Sequence, residues 1–354
     1  MKSPWSTALG RRGFLMAAAG AVGACAPEMG DLAEPEDPLV NVKDRAQWSR
    51  RREMIIHNMQ LVMGEFPRKE RMALDIEEIE TTDFPALTRK QITFVSEEND
   101  RVPAYLFIPK DLNGKTGGML CLHQTTKIGK GEPAGIGGKP DLHYAKELAE
   151  RGYVALAPDY PNFGDYTYDP YANGYASATM KGIWNHMKAV DLLQSLDEVD
   201  KDRIGCIGHS LGGHNTLYVG VFDERIRAMV TSCGFNSFYK YKGGDLTGWS
   251  HKGYMPRITE KYDRDPAKMP FDFTHVLAAE APRAVFINAP LNDSNFEVSG
   301  VRDCVDAARP IYENIFEAGE KLVAVYPEAG HEFPPYVRRQ AYDFLDRWVG
   351  PVKV

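Results

Sequence analysis

The sequence predicts an α/β fold with a mostly parallel central sheet and helices on both faces. Three observations lead there. Short apolar runs alternate with amphipathic stretches, a pattern that implies parallel strands joined by helical crossovers. A serine between glycines sits where an apolar run meets a small-residue stretch, in "RIGCIGHSLGGHNT" (203–216). Residues able to do chemistry recur just past the ends of the apolar runs, where ligands bind in such sheets.

The elements follow in order. "DRAQWSRRREMIIHNMQLVMGEFP" carries Trp48, Ile55, Met59 and Val62 at helical spacing, with Gly64 and Pro67 as stops. It predicts an N-terminal helix within 44–66. "RKQITFVSE" and "PAYLFIP" read as paired strands. "GMLCLH" is a buried strand, "DLHYAKELAERG" an amphipathic helix and "YVALAPDY" a strand. "ASATMKGIWNHMKAVDLLQSL" is a long helix. "RIGCIGHS" and "IRAMVTSC" are strands on either side of the helix "GGHNTLYVGVF". "RAVFINAP" and "KLVAVYP" are further strands around a helix near 301–318, and "YVRRQAYDFLDRWV" closes the chain as a helix. Residues 234–282, after the sixth predicted strand, break the rhythm. They are rich in aromatics, Gly and Lys and too long for a simple connection, so they read as a lid-like insertion. The body therefore spans 44–354 as one domain.

The N-terminus has a different layout. In "GRRGFLMAAAGAVGAC", Arg11 and Arg12 precede Phe14, Leu15 and a short apolar run. That is the arrangement of an export signal of the twin-arginine type. Val22 to Cys25 also has the form of a lipobox, in which Cys25 is lipidated. Residues 1–25 are thus expected to direct export, leaving an exported, periplasmic or membrane-anchored protein. The Pro-rich, acidic stretch 26–43 reads as a flexible tether. Of 354 residues, 43% are hydrophobic and 26% charged, with net charge −7, which suits a globular protein with a large core. No basic block lies beyond the extreme N-terminus, so no nucleic-acid partner is expected. Cys121, Cys206, Cys233 and Cys304 have no spacing that implies a disulfide framework or a zinc site.

A serine hydroxyl needs a base, and the base needs an orienting acid. In Gly208-His209-Ser210-Leu211-Gly212 the strand must turn into the helix so sharply that side chains at the two glycines would collide. Ser210 is the candidate nucleophile. His331, in "KLVAVYPEAGHEFP", lies just past a late strand and is the candidate base. It is not part of an H-E-x-x-H zinc motif, and no metal or organic cofactor is implied. Asp293, a few residues past "RAVFIN", is the preferred acid, with Glu297, Asp303 and Asp306 as competitors. The helix after Ser210 aims its N–H groups at the site, so Leu211 is expected to supply one oxyanion donor. The second is expected after "GMLCLH", from Thr125 or alternatively Gln124. His123, Asp159, Tyr160, Asn162, Phe163 and His209 lie near strand ends and are candidate substrate contacts. Trp249 and Tyr254 of the insertion are candidates to cover the substrate.

The order Ser210, Asp293, His331 is that of the α/β-hydrolases. From about residue 45 onward the chain resembles that superfamily, and more narrowly the bacterial acetyl xylan esterases and dienelactone-hydrolase-like proteins. The stretches carrying the resemblance are "LCLHQTT", "AERGYVALAPDYPNFGD", "IGCIGHSLGGHNT" and "GHEFPP". Dienelactone hydrolases proper use a cysteine nucleophile, so Ser210 favours an esterase. Many relatives have His-Gly where this chain has His123-Gln124, a departure at the oxyanion loop. The resemblance implies hydrolysis of a small-molecule or carbohydrate ester, often removal of an acetyl group. Two rivals share the pattern: a peptidase of the prolyl-oligopeptidase type, and a non-catalytic lipoprotein on a hydrolase fold. No propeller-like repeat accompanies the sequence, which weighs against the first.

Overall fold

A computed structural model of the chain describes residues 37–67 and 72–350. The proposed export signal with Cys25, and most of the tether, lie outside the described residues. The strands are β1 (Glu77–Asp83), β2 (Leu87–Glu97), β3 (Asp100–Pro109), β4 (Thr116–Leu122), β5 (Val154–Pro158), β6 (Val199–His209), β7 (Ile226–Ser232), β8 (Ala284–Asn288) and β9 (Leu322–Val325). The helices are α1 (Arg45–Met63), α2 (Tyr144–Glu150), α3 (Ala178–Ser195), α4 (Leu211–Phe222), α5 (Arg257–Glu260), α6 (Phe273–Ala279), α7 (Val298–Pro310) and α8 (Pro335–Val349).

The strands form a single nine-stranded sheet in the order β1-β2-β3-β5-β4-β6-β7-β8-β9. β1, β2 and β3 pair antiparallel, and β3 pairs antiparallel with β5. From β5 through β4 to β9 every pairing is parallel. A mostly parallel sheet must be covered on both faces, because its strands are apolar on both. α2 and α8 cover one face, with Tyr144, Leu148, Val337 and Leu345 packed on Met119, Ala155 and Ile207. α1, α3, α4, α6 and α7 cover the other and share the larger apolar core. α1 begins where expected, with Asp44 accepting from the Gln47 N–H at 2.7 Å. Trp48, Ile55, Met59 and Val62 are its buried face. Ser177 caps α3 by accepting from the Met180 N–H at 3.0 Å.

Two expectations change. β1 was not apparent in the sequence, since "EEIETTD" is acidic, and its residues stay largely exposed. It is an edge strand defined by backbone pairing to β2, and its carboxylates protect that edge. The insertion consequently follows the seventh strand. The insertion is also not a loose cover. Phe238, Leu246, Trp249, Met255, Phe271 and Phe273 are buried in the larger core. α6 is fixed by a capping box in which Asp272 and His275 bond reciprocally to backbone N–H groups. Cys121, Cys206, Cys233 and Cys304 are free and buried.

Burial also selects charge states. His123 and His209 are driven below the usual imidazole range mainly by desolvation. Desolvation takes His186 and His214 each down to about 3. These rings bind protons readily only after unfolding, so their contribution to stability is complete above pH ~6.5 and lost as the pH falls. Glu280, raised to about 7 by burial despite Arg283 and Arg52, acts in the opposite sense between about 7 and ~4.5. Desolvation lowers His251 in the same sense and raises Asp272 in the same sense as Glu280, so among the described residues two carboxyls oppose five imidazoles and the melting temperature is expected to drop between pH 7.5 and pH 5. A thermal shift series across that range checks this, and an unchanged or rising Tm contradicts it.

Candidate active site

The site is built where the parallel strands end. β6 delivers Ser210, which adopts φ 52° and ψ −115°. That left-handed conformation is strained for a residue with a side chain. Its neighbours explain how it is held. The Ser210 N–H donates to the Ser232 carbonyl of β7 at 2.8 Å, and α4 starts at the next residue. A Cβ on Gly212 would lie 1.9 Å from the Leu122 carbonyl oxygen at the end of β4. A Cβ on Gly208 would lie 2.2 Å from the Gly212 carbonyl oxygen. Both glycines are therefore required by close backbone approach, as the motif predicts. The Gly213 and His214 N–H groups turn back onto the Ser210 carbonyl. Leu211 opens α4, where an N–H has no carbonyl one turn earlier to bond.

Asp293 follows β8 and His331 follows β9, and the two meet. His331 Nδ1 lies 3.0 and 2.9 Å from the two Asp293 carboxylate oxygens. Asp293 Oδ1 also accepts from the N–H groups of Asn295 (2.7 Å) and Phe296 (3.1 Å). Burial pushes the carboxyl up, but His331 and these two amides outweigh it and hold Asp293 below the usual carboxylate range. An ionised Asp293 fixes the His331 tautomer with its proton on Nδ1, leaving Nε2 free to act as a base. The competing acids are accounted for elsewhere. Glu297 precedes α7 and accepts from Ser299 Oγ, Asp303 pairs with Lys240 at 2.7 Å, and Asp306 lies within α7. Ser210 and His331 are both half-buried, reachable from outside.

Several predicted substrate contacts have other partners. Asp159 is wholly buried, and accepts from Lys130 Nζ and the Lys130 N–H, each at 2.7 Å. His123 is buried; its Nδ1 reaches the Gln124 carbonyl at 2.6 Å and its Nε2 accepts from the Tyr160 N–H at 3.0 Å. Tyr160 is buried against Ala178 and Leu211, and its hydroxyl donates to the Gly253 carbonyl. His209 is buried with Nδ1 2.9 Å from Ser232 Oγ, its ring 4.8 Å from that of His331. Trp249 is buried among Phe273, His214, Tyr241 and Phe296. Desolvation and packing made these five part of the frame, and none of them faces the opening as a contact.

Asn162 and Phe163 do line an opening. A cleft of about 350 Å³ is bounded by Thr125, Thr126, Lys127, Asn162, Phe163 and Gly164. It includes Thr125 of the expected oxyanion loop. Tyr254 reaches the same loop from the insertion, its hydroxyl 3.4 Å from Thr125 Oγ1. A wider groove of about 1070 Å³, between α1 and residues 173–176, is lined by none of the triad residues. The sequence did not single out Ser232, Asn288 or Lys130. Asn288 Nδ2 donates to Ser232 Oγ and to the Glu332 carbonyl, both at 2.9 Å, tying the His331 loop to β7 and β8. Position at a strand end was the available signal for Ser232 and Asn288; Lys130, eight residues past β4, carried none. His209, Cys233 and His331 offer ligand atoms within 4.8 Å of one another. They could hold a cation only if His331 released Asp293 or gave up its other nitrogen.

The elbow geometry gives a direct test. Gly212→Ala should lower the urea midpoint, by about 1–3 kcal/mol of overpacking strain, and reduce any Ser210-dependent activity more than tenfold. Gly137→Ala, where the added Cβ meets only Ile128 Cδ1 at 3.4 Å, should do neither. Equal behaviour of the two variants would contradict the steric account.

Comparison with known proteins bears on the fold. The family model described as "Glucuronyl esterase, fungi" matches residues 160–315, a span that holds Ser210 and Asp293. The protein YtaP of Bacillus subtilis (strain 168) is 24% identical over 265 residues, 71% of this chain and 85% of its own. A glucuronoyl esterase from Solibacter usitatus superposes with a TM-score of 0.68 at 17% identity, covering 86% of this chain and 94% of that one. An acetyl xylan esterase from Paenibacillus sp. R4 does so with a TM-score of 0.59 at 16% identity, covering 89% and 99%. The nine-stranded sheet and these superpositions together show that the chain has the α/β-hydrolase fold.

Proposed function

We propose that the protein is a serine carboxylic-ester hydrolase acting on a carbohydrate or other small ester through an acyl-enzyme. The observation that carries this reading is the Asp293–His331 pair standing at neighbouring strand ends beside a strained Ser210. Ser210 Oγ attacks the ester carbonyl and His331 Nε2 takes its proton. Asp293 holds the imidazole and stabilises its charged form. His331 then gives the proton to the departing alcohol, and later activates the water that releases the acyl group.

The Leu211 amide is one oxyanion donor in this reading. For the second, peptide geometry favours Thr125 over Gln124. The Gln124 carbonyl points back at buried His123 Nδ1. In a trans peptide the following N–H points the opposite way, so the Thr125 amide is turned from His123 toward the cleft. The cleft beside it, walled by Phe163, Asn162 and Thr126, receives part of the ester.

The two kinds of structural relative place the sugar differently. In an acetyl xylan ester the sugar is the alcohol; in a glucuronoyl ester it is the acyl part. Wild type is expected to hydrolyse p-nitrophenyl acetate and to lose rate as the acyl chain lengthens to octanoate. Ser210→Ala should lower kcat/KM by at least about 10³-fold, and Asp293→Asn by about 10²–10⁴-fold. Full activity in Ser210→Ala would end the proposal, and preferential cleavage of p-nitroanilide peptides would replace it with a peptidase. Acetylated xylo-oligosaccharides and a methyl ester of glucuronic acid, assayed side by side, decide which half of the ester carries the sugar. We further propose that the N-terminus directs export with Cys25 lipidated. Labelled fatty acid should be incorporated by wild type and not by Cys25→Ala.

A further inference from the structure

We infer that Lys130 and Asp159 form a buried clamp that positions the oxyanion loop, an inference resting on the esterase reading above. Two segments outside the strands and α-helices meet at the cleft. Residues 123–131 leave β4 and carry Thr125, Thr126 and Lys127. Residues 159–165 leave β5 and carry Asn162, Phe163 and Gly164. The same six residues wall the cleft, three from each segment.

The clamp joins them at their buried side. Lys130 is 2% exposed and Asp159 0%. Asp159 Oδ1 accepts from the Lys130 N–H, and Oδ2 accepts from Lys130 Nζ, each at 2.7 Å. Oδ2 also accepts from the Asp165 N–H at 3.0 Å. Lys130 Nζ reaches onward to the Asp165 carboxylate at 2.5 Å, and its charge lies 5.3 Å from the Tyr105 ring centroid. Burial alone would lower the Lys130 pKa, but the two carboxylates outweigh it and hold it raised. The backbone has been shaped around this carboxylate. Gly129 (φ +47°) and Gly164 (φ +57°), one from each segment, would place a Cβ 2.1 and 2.2 Å from Asp159 Oδ1. A second clip runs parallel, from the Tyr160 N–H to His123 Nε2.

An ion pair taken out of water adds little net stability compared with apolar packing of the same shape. What it supplies is direction. Three donors converge on one carboxylate, which fixes the Gly129–Lys130 backbone relative to the start of the β5 loop. The loop from His123 to Lys130 is thus pinned at both ends, by His123 and by Lys130. Between those pins lies the Thr125 amide. Oxyanion donors act only when held in place before the reaction, and misplacement costs rate more than substrate binding. Lys130 and Asp159 are positioning residues, since neither side chain reaches the cleft.

The test compares wild type with Lys130→Met/Asp159→Asn, which removes both charges together so that neither is left buried alone. The double variant should keep its circular dichroism and melt cooperatively. Its kcat on p-nitrophenyl acetate should fall about 10–100-fold with KM within about threefold. Amide hydrogen exchange should quicken in 123–131 and 159–165 and stay unchanged in β6–β8. A folded variant with wild-type kcat, or with unaltered exchange in both segments, overturns the clamp. If the double variant does not fold, Asp165→Asn decides instead. Its carboxylate is 64% exposed, so its loss spares the core. It should quicken exchange at 123–131 and lower kcat by about threefold or more, and no change in either overturns the inference. Wild-type activity that survives Ser210→Ala would overturn the esterase reading separately, while the exchange measurement still judges the clamp.

Discussion

The close approach of backbone at the strand-to-helix turn constrains everything else in this structure. Gly212 lies against the last carbonyl of β4, and Ser210 donates its N–H to the last carbonyl of β7. The turn after β6 is therefore gripped from both neighbouring strands. That grip requires β4, β6 and β7 to be adjacent and parallel, which the crossover helices α3 and α4 make possible. It also offsets the strain of a serine at positive φ, which no local interaction would maintain. The exposure of Ser210 and the start of α4 beside it follow from this contact.

Behind Ser210 and His331 lies a layer of buried polar side chains. Desolvation holds His123 and His209 below the usual imidazole range, which favours the neutral ring as a hydrogen-bonding strut. His123 joins the loops after β4 and β5. His209, Ser232 and Asn288 link the ends of β6, β7 and β8 to the Glu332 carbonyl, next to His331 in the chain. His331 is thus oriented twice, by Asp293 at its Nδ1 and by the backbone of its own loop. Asp293 is kept ionised by two backbone amides as well as by His331, which suits an acid that orients without changing its own charge.

The segment between β7 and β8 buries its aromatic residues in the main core. Phe238, Trp249, Phe271 and Phe273 pack edge-to-face and tilted in the core. Buried aromatics of this kind supply large apolar area with little conformational freedom. Trp249 packs against Tyr254, whose hydroxyl lies 3.4 Å from Thr125 Oγ1 in the loop after β4.

The sequence by itself determined the parallel architecture, the glycine-flanked turn at Ser210 and the strand-end placement of Asp293 and His331. Each rests on a local pattern: apolar runs alternating with amphipathic ones, glycines around Ser210, and Asp293 and His331 just past strand ends. Local patterns report what a residue needs from its immediate chain neighbours, and these needs are steric. Tertiary structure decided which strand-end residues face the opening. Asp159, His123 and His209 carry the same chemistry in sequence as a substrate contact would. They turned inward because Lys130, Tyr160 and Ser232, distant in sequence, met them there. It also chose Asp293 over Asp303, whose partner Lys240 lies in the insertion. It made the insertion part of the core, since the composition of a lid and of a packed wall is the same. Edge strand β1 was invisible for a related reason: its stability comes from backbone bonds to β2, and backbone bonds leave no side-chain pattern to read.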